Sequence, residues 1–353
     1  MELKSGRFDV TDYFEWQELA FARRWTDGLP VSPPIESQVQ RMVEFVGRDP
    51  QEVVGEIPPK HGLATIEKIA INSVMAGCLP DYMPVVVAAI KAMIEPEFNL
   101  NGIQDTTHPA TPLTIVSGPI AERLEFNCKD GVFGGGSRAN ATIGRAIRLV
   151  LWNVGGAYPG DIDKAVFSHP GKYTYCIAEN QSANPWEPLH VDRGLPASVS
   201  ALTVIACEAP HHVAGRGNPL GKMLRCISDT MSALGSNNPT VMGQVLLVMS
   251  PLAAAAVAKA GWSKGDLKAS LFEKARRRLG DIKEAARDLD LSRLLWPEWI
   301  DTTDDDYLVP IVQQPEDILI TVAGGTGSNS LMVCPGWGGM GGYAVTKEIE
   351  LPK

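Results

Sequence analysis

Runs of apolar residues alternate with helix-spaced segments along most of this chain. The stretch LTIVSGPIAERL (113–124) is typical of a strand, a turn and a helix start, and VLLVMSPLAAAAVAKAG (245–261) repeats that order. Further strands are predicted at Tyr173–Ile177, Ser200–Cys207 and Ile318–Val322. Because strands and helices alternate, the pattern predicts an α/β fold with helix-on-sheet layers, mixed sheets and two related βα units.

Helical spacing predicts the remaining elements. The expected helices include Ala139–Trp152, Gly221–Leu234 and Lys264–Arg287. Earlier in the chain, Ala64–Ala76 should end at Gly77, which is a common C-cap residue. The next helix, Asp81–Met93, is almost wholly apolar, so we expect it to be buried.

Length, charge and the start of the chain restrict the class of protein. At 353 residues the chain is long for one core, so we expect two α/β lobes, 1–195 and 196–353, although no long linker marks the boundary. A formal net charge of −9 argues against a general nucleic-acid-binding protein. Residues 1–10 lack the apolar core of a signal peptide, and no uninterrupted apolar run is long enough to span a bilayer. We therefore expect a cytoplasmic homo-oligomer that binds neither nucleic acid nor membranes.

A glycine-rich loop precedes one predicted helix, in the sequence GVFGGGSRANATIGRAIRLVL (131–151). Glycines allow a ligand to approach the backbone, and the N–H groups at a helix start favour an anion. Ser137 is a good N-cap, and Arg138 and Asn140 lie in the first turn, where they can clamp a carboxylate or a phosphate. The predicted anion-binding residues of this loop are Gly134, Gly135, Gly136, Ser137, Arg138 and Asn140. A flexible loop before a capped helix is the alternative.

A second glycine-rich segment, AGGTGSNSLMVCPGWGGMGGYAV (323–345), directly follows the predicted strand ILITV. Ligands of open α/β sheets bind at the carboxyl ends of strands, so the N–H groups here are candidates for a second anion contact. The predicted residues are Gly324, Gly325, Gly327 and Ser328. Cys334 stands among glycines that give its sulfur little cover, so it is a candidate for a reactive thiol. A glycine-rich hairpin with a packed cysteine is the alternative.

The six cysteines lie far apart without a CxxC pair, so we expect free thiols. Cys78 directly precedes a predicted apolar helix, where the helix dipole favours the nucleophilic thiolate. A thiol packed under that helix would instead have a raised pKa and be inert. The sequence leaves both alternatives open.

Polar residues follow two predicted strands. Glu179 and His190 come after the strand that holds Cys176, and His211 comes after the strand that ends at Cys207. Carboxylates and imidazoles are the usual general acids and bases, so these residues are candidates for that role. The predicted catalytic set is Cys78, Cys176, Cys334, Glu179, His190 and His211. The alternative is a metal site at Cys207, Glu208 and His211. No cofactor is required by the sequence, and a divalent metal belongs to this alternative. His108 precedes the strand at 113–117 and could project into the same cleft.

Several motifs resemble an uncharacterised bacterial family of about 350 residues. They extend from about residue 25 to 345 and include WTDGLPVSPP, MAGCLPDYMPVVVAAIKAM, SRANATIGRAIRLVLWNVGG, HPGKYTYCIAEN and PWEPLHVDRG. That family is associated with small Cys or selenocysteine proteins that carry a UGSC motif. The resemblance therefore implies thiol, sulfur or redox chemistry. Cys78, Cys176 and Glu179 fit the family pattern, whereas Cys334 stands where the family does not always carry a cysteine.

Three functions follow from these observations. The first is a cysteine-dependent enzyme that acts on a small anionic substrate by sulfur transfer, thiol redox or lyase chemistry. The second is a metal-dependent hydrolase or lyase that uses the alternative metal site. The third is a non-catalytic subunit that binds a small Cys or selenocysteine protein through its glycine-rich C-terminal residues.

Overall fold

The fold is taken from a computed structural model, which describes residues 2–213, 220–285, 296–338 and 341–352. The regular secondary structure of the described residues before residue 106 consists of helices and one antiparallel hairpin. Their elements are α1 (Tyr13–Ala22), α2 (Glu36–Val46), β1 (Val53–Ile57), β2 (Gly62–Thr65), α3 (Ile66–Ala76), α4 (Met83–Met93) and α5 (Leu100–Asp105). As predicted, α3 ends where Gly77 adopts a φ of 89°, and α4 is buried along nearly its whole length.

The first sheet takes its strands from both halves of the chain. Strands β3 (Thr111–Ser117), β4 (Cys176–Ala178), β5 (Ala201–Cys207) and β12 (Val345–Glu348) lie in the order β12-β5-β3-β4. The sheet therefore crosses the predicted boundary at residue 195, because β5 and β12 lie beyond it. Strand pairing between distant residues decides this, and local hydrophobic periodicity does not encode such pairing.

The second sheet lies wholly beyond residue 195. Strands β6 (His211–Val213), β7 (Val245–Met249), β10 (Ile318–Val322) and β11 (Leu331–Pro335) lie in the order β10-β7-β11-β6. A separate antiparallel pair consists of β8 (Arg276–Arg278) and β9 (Leu308–Pro310).

Helices connect these strands. They are α6 (Ile120–Arg123), α7 (Arg138–Asn153), α8 (Leu189–Asp192), α9 (Leu220–Met231), α10 (Asn238–Val241), α11 (Pro251–Lys259), α12 (Lys264–Lys274) and α13 (Leu279–Ala285). The predicted helix Lys264–Arg287 is wrong as a single element, because pairing of β8 with β9 interrupts it after Lys274. Residues 286 and 287 lie outside the described residues.

Three buried apolar clusters place the layers in the order helix, sheet, sheet, helix. Helices α3, α4 and α7 cover the outer face of the first sheet, and α9, α11 and α12 cover the outer face of the second. Between the sheets, Ile115 and Ile205 pack in one cluster with Val248 and Leu319. Burial of each such side chain stabilises the fold by roughly 1.5–3 kcal/mol. The predicted α/β class, with helix-on-sheet layers and mixed sheets, is confirmed.

The two sheets share one topology. In the first sheet β3 is parallel to β4 and antiparallel to β5, and β5 is antiparallel to β12. In the second sheet β7, β10, β11 and β6 take the same places, which we number as the first to fourth strand of each sheet. The fourth strands are exchanged: β6 follows β5 in the chain but pairs with β11, and β12 follows β11 but pairs with β5. We call residues 111–213 the first unit and residues 245–348 the second unit.

The equivalence of the units extends to single hydrogen bonds. The N–H of Glu179 donates to the carbonyl of Val116 at 2.9 Å, and the N–H of Ala323 donates to the carbonyl of Met249 at 3.0 Å. Each bond joins the residue after the second strand to the same position of the first strand. Glu179 and Ala323 are therefore equivalent positions.

The units meet through a symmetrical pair of backbone hydrogen bonds. The N–H of Glu208 donates to the carbonyl of Pro335 at 2.9 Å, and the N–H of Trp337 donates to the carbonyl of Ala206 at 3.0 Å. A β-bridge joins the ends of β5 and β11 between these bonds. The sheets are thus related by a local twofold axis. The sequence indicated this relation only through two copies of a strand–turn–helix pattern.

Candidate functional site

Two cavities flank the segment from Asp130 to Ser137, which we call the glycine loop. The serine-side cavity, of about 320 Å³, lies between the glycine loop and residues 323–330, which we call the serine loop. The arginine-side cavity, of about 510 Å³, lies on the other flank. Asp130 lines both cavities. We call the two cavities together the glycine-loop cleft.

The predicted anion-binding glycines border this cleft, although they come from distant parts of the chain. The serine-side cavity is lined by Gly134, Gly324, Gly325, Gly327 and Ser328. The arginine-side cavity is lined by Gly135, Gly136, Ser137 and Arg138. The structure thus brings the two glycine-rich segments together at one place.

The serine-side cavity lies at the carboxyl ends of the parallel strands β7 and β10, the usual position of ligands in α/β sheets. Ser250 follows β7 and caps α11 by accepting from the N–H of Ala253 at 3.3 Å. Its hydroxyl donates to the carbonyl of Ser328 at 2.9 Å, and its N–H donates to the carbonyl of Ser330 at 3.0 Å. These bonds fix the serine loop to the end of β7.

The glycine loop and the serine loop touch. A Cβ atom on Gly325 would lie 1.7 Å from Oδ1 of Asp130, so a larger residue at position 325 would require the Asp130 carboxylate to shift. Nearby, the N–H of Gly324 donates to the carbonyl of Cys128 at 2.9 Å. Glycine at position 325 therefore allows the Asp130 carboxylate to pack against the backbone of the serine loop.

Asn140 pins the glycine loop and has its hydrogen-bonding groups engaged within the protein. Its Oδ1 accepts from the N–H of Asn127 at 2.9 Å and from the Ser137 hydroxyl at 2.8 Å. Its Nδ2 donates to the carbonyl of Asn127 at 2.9 Å, and the side chain is buried. The sequence assigned Asn140 and Ser137 to anion binding, but their contacts instead cap α7 and fix the loop.

Arg138 lines the arginine-side cavity and is exposed. Its Nε and Nη2 donate to the carbonyl of Gly77 at 3.1 and 2.9 Å. The guanidinium retains further N–H groups that can meet a ligand. Of the predicted anion-binding side chains, Arg138 is the one that brings a positive charge to the cleft.

Among the described residues, acidic groups outnumber cations along the cleft. Glu125 and Asp130 line the arginine-side cavity together with Arg138. The lining of the serine-side cavity, within the described residues, holds Asp130 but no Lys, Arg or His. Its walls are apolar where Val132, Phe133 and Met332 lie. A ligand with a positive charge is therefore favoured there over a simple anion.

Four thiols are buried and held in the protonated form. Burial raises the pKa of Cys78 and of Cys334 to about 12, and it raises the pKa of Cys176 and of Cys207 as well. The Sγ of Cys78 donates to the carbonyl of Thr142 at 3.2 Å. Of the two alternatives left open for Cys78, the structure favours the packed thiol, because desolvation has the largest effect on its pKa.

Glu179 is buried between the sheets and not in the cleft. Its carboxylate accepts from the Ser117 hydroxyl at 3.0 Å, from the N–H of Leu189 at 2.9 Å and from Nδ2 of Asn184 at 3.2 Å. Burial raises its pKa. Glu179 thus connects the residues at the carboxyl ends of β3 and β4 with the segment 184–189.

The two predicted catalytic histidines lie in opposite environments. His190 is fully buried on α8, and burial lowers its pKa. His211 is exposed on the edge strand β6, opposite Val333. Neither His190 nor His211 lines the glycine-loop cleft.

The alternative metal site does not assemble. Across the described ranges, no three His, Cys, Asp or Glu side chains come together as a group that could hold a metal ion. Cys207 is fully buried in the layer between the sheets, whereas His211 is exposed. Residues close in sequence are separated here because β5 and β6 belong to different sheets.

A histidine–carboxylate pair lies near the local twofold axis. Nε2 of His108 lies 2.9 Å from Oε1 of Glu208. The hydroxyl of Tyr175 donates to the carbonyl of Glu208 at 2.9 Å and lies 3.9 Å from Sγ of Cys334. The sequence suggested that His108 could project into the cleft, but it pairs with Glu208 near this axis and does not line the glycine-loop cleft.

Sequence reasoning missed Asp130, the charged residue that lines both cavities. Its signal was its position directly before GVFGGG, where an acidic residue opens the glycine loop. Only its packing against Gly325, 195 positions later in the numbering, shows that it faces the serine loop.

Two comparisons with known proteins assign no family to this chain. A scan against protein-family models finds no match for the chain, and a search of curated proteins also finds none. Among the described residues, no helix combines the length and the hydrophobicity that a membrane crossing requires.

Proposed function

We propose that this protein binds a small organic molecule carrying a protonated amine in the serine-side cavity, with the Asp130 carboxylate as its ionic contact. The observation that carries this proposal is the position of Asp130 in a cavity whose described lining holds no cation. No described residue forms an ion pair with Asp130, so its charge is available to a ligand.

Size and wall chemistry support the same ligand class. A volume of about 320 Å³ lies at the lower end of the range for small-molecule sites, roughly 300–1,000 Å³. Val132, Phe133 and Met332 offer apolar contacts, and the serine hydroxyls and glycine N–H groups offer a few polar ones. An amine with a short apolar chain uses both kinds of surface.

The exposure of Asp130 limits the expected selectivity. Exposed ion pairs contribute roughly 0.2–1 kcal/mol, and a ligand that excludes water from the cavity moves the contribution upward. Loss of the carboxylate should therefore weaken binding of an amine several-fold, while binding of a neutral molecule of the same shape should not change.

The test compares phenethylamine with 2-phenylethanol by calorimetric or NMR titration at pH 7. The expected result is tighter binding of the amine to the native protein and loss of that preference in Asp130→Asn. Glu18→Gln, which removes an exposed carboxylate on α1, is the matched control and should keep the preference. An unchanged preference in Asp130→Asn would contradict the proposal.

A cysteine-dependent reaction is a second candidate, favoured by the contact between Arg138 and Gly77. That contact places the guanidinium beside Cys78, and its charge lowers the pKa of the thiol against the larger effect of burial. The measurement is the alkylation of Cys78 in the native protein, because a catalytic thiol must react without unfolding. Retention of an alkylating label by native Cys78 at neutral pH would favour this candidate.

A further inference from the structure

The equivalence of the two units relates the serine-side cavity to a filled position in the first unit. Glu179 and Ala323 are equivalent, and so are Val116 and Met249, whose carbonyls accept their N–H groups. Ser117 and Ser250 are the residues that follow Val116 and Met249, so they are equivalent too. Glu179, at the carboxyl ends of β3 and β4, therefore indicates what the corresponding place in the second unit can hold.

In the first unit this place holds a carboxylate. The Ser117 hydroxyl donates to Glu179 at 3.0 Å, and the N–H of Leu189 and Nδ2 of Asn184 donate as well. The Thr321 hydroxyl also acts on this carboxylate. The Glu179 side chain is only 2% exposed, and its hydrogen bonds come from neutral donors. A serine at this position is thus seen binding a carboxylate group in the same chain.

In the second unit the corresponding place is open. Ala323 and Gly324 carry no long side chain, and they line the cavity together with Ser250 and Val248. The hydroxyl of Ser250 donates to the carbonyl of Ser328, and rotation about its C–O bond would aim it into the cavity. The space that the Glu179 side chain occupies in the first unit is left to a ligand in the second.

The helices that follow are also equivalent. Both α7 and α12 begin after an N-cap serine, Ser137 and Ser263, and a cation comes next, Arg138 and Lys264. Lys264 is near enough to Glu179 for its charge to act on that carboxylate. Arg138 holds the matching position beside the glycine-loop cleft.

We propose that the ligand of the serine-side cavity also carries a carboxylate, bound against Ser250 as the Glu179 carboxylate is bound against Ser117. This inference rests on the proposed function, in which Asp130 binds the ammonium group. A ligand with both groups is a small zwitterion, such as an amino acid with an apolar side chain. Its ammonium group answers the Asp130 carboxylate, and its carboxylate would have to be held by the neutral donors at Ser250, as Glu179 is held mainly by neutral donors in the first unit.

The test compares L-phenylalanine with phenethylamine, which has the same ammonium and ring but lacks the carboxylate. Native protein should bind L-phenylalanine at least tenfold more tightly in NMR or calorimetric titration. Ser250→Ala should abolish this ratio, and Ala323→Glu should abolish binding, because the new carboxylate would occupy the place that Glu179 fills in the first unit. Ser263→Ala removes the N-cap of α12, away from the cavity, and should leave the ratio unchanged.

The outcomes separate the two proposals. Equal affinity for both probes, lost in Asp130→Asn, would overturn the carboxylate inference and leave the amine site intact. Binding of neither probe would overturn both. A tenfold ratio that persists in Ser250→Ala would also overturn the inference, because the carboxylate would then bind elsewhere. A folded Ala323→Glu protein, verified by its circular dichroism spectrum, that still binds L-phenylalanine would do the same.

Discussion

The reactivity of Cys78 gives the sharpest test of how burial acts on this protein. Burial raises the pKa of this thiol from an ordinary 9.0 to about 12. A shift of that size lowers the thiolate fraction at pH 7.5 about a thousandfold, because each pH unit changes it about tenfold. The thiolate is the form that is alkylated, so the native labelling rate should fall at least as much.

The assay is a time course with iodoacetamide at pH 7.5, quenched and quantified by peptide mass spectrometry for each cysteine. The same protein in urea supplies the unprotected rate of Cys78. Cys226, which is half-buried on α9, is the internal control and should be labelled much faster in the native protein. Between pH 7.5 and 10 the native rate of Cys78 should keep rising about tenfold per pH unit, since its pKa lies higher.

A native rate for Cys78 within tenfold of the rate in urea would refute this reasoning. A plateau in the native rate below pH 9 would refute it as well, because it would reveal a thiol with an ordinary or lowered pKa. Either result would support the cysteine-dependent reaction, which is the second candidate function. Slow labelling that follows unfolding would instead leave Cys78 as part of the core.

Two further predictions concern buried polar groups. Asn140→Ala should lower the free energy of unfolding by about 2–3 kcal/mol in urea denaturation, because Asn127 loses two partly buried hydrogen bonds. Asn101→Ala on the exposed face of α5 should change it by less than about 0.5 kcal/mol. Equal effects would contradict the role of Asn140 in fixing the glycine loop. Burial lowers the pKa of His190 below its ordinary 6.5, so the unfolded chain binds more protons than the folded one as the pH falls below that value. The urea midpoint should therefore fall with decreasing pH below about 6.5, and His190→Gln should flatten that slope; a slope unchanged by the substitution would show that other groups cause it.

Local features of the fold were predictable because their causes are local. The helix starting after Ser137 and the helix starting after Ser263 both have the N-cap that their sequences indicate. Gly77 ends α3 in the left-handed conformation that glycine adopts readily. The helix predicted to continue through Arg276 failed for the opposite reason, since a strand pairing over thirty positions away interrupts it.

The candidate site was predictable in part. Glycine-rich segments next to predicted secondary structure marked both loops of the cleft, and their backbone exposure is a local property. Asn140 was predicted to contact an anion, whereas in the fold its amide group is hydrogen-bonded to Asn127, a contact that the local sequence does not indicate. The sequence left open whether Cys78 is a reactive or a packed thiol, because burial under the helices cannot be read from the residues that flank it.

The sequence by itself determined the α/β class, most helix starts and the two glycine-rich loops, because hydrophobic periodicity, capping residues and glycine act over a few positions. Only the tertiary structure decided that the fourth strands are exchanged, that Asp130 meets Gly325, and that four thiols are buried and protonated. Each of these depends on contacts between residues far apart in the chain, and the free energy of such contacts comes from packing and desolvation that no single segment carries.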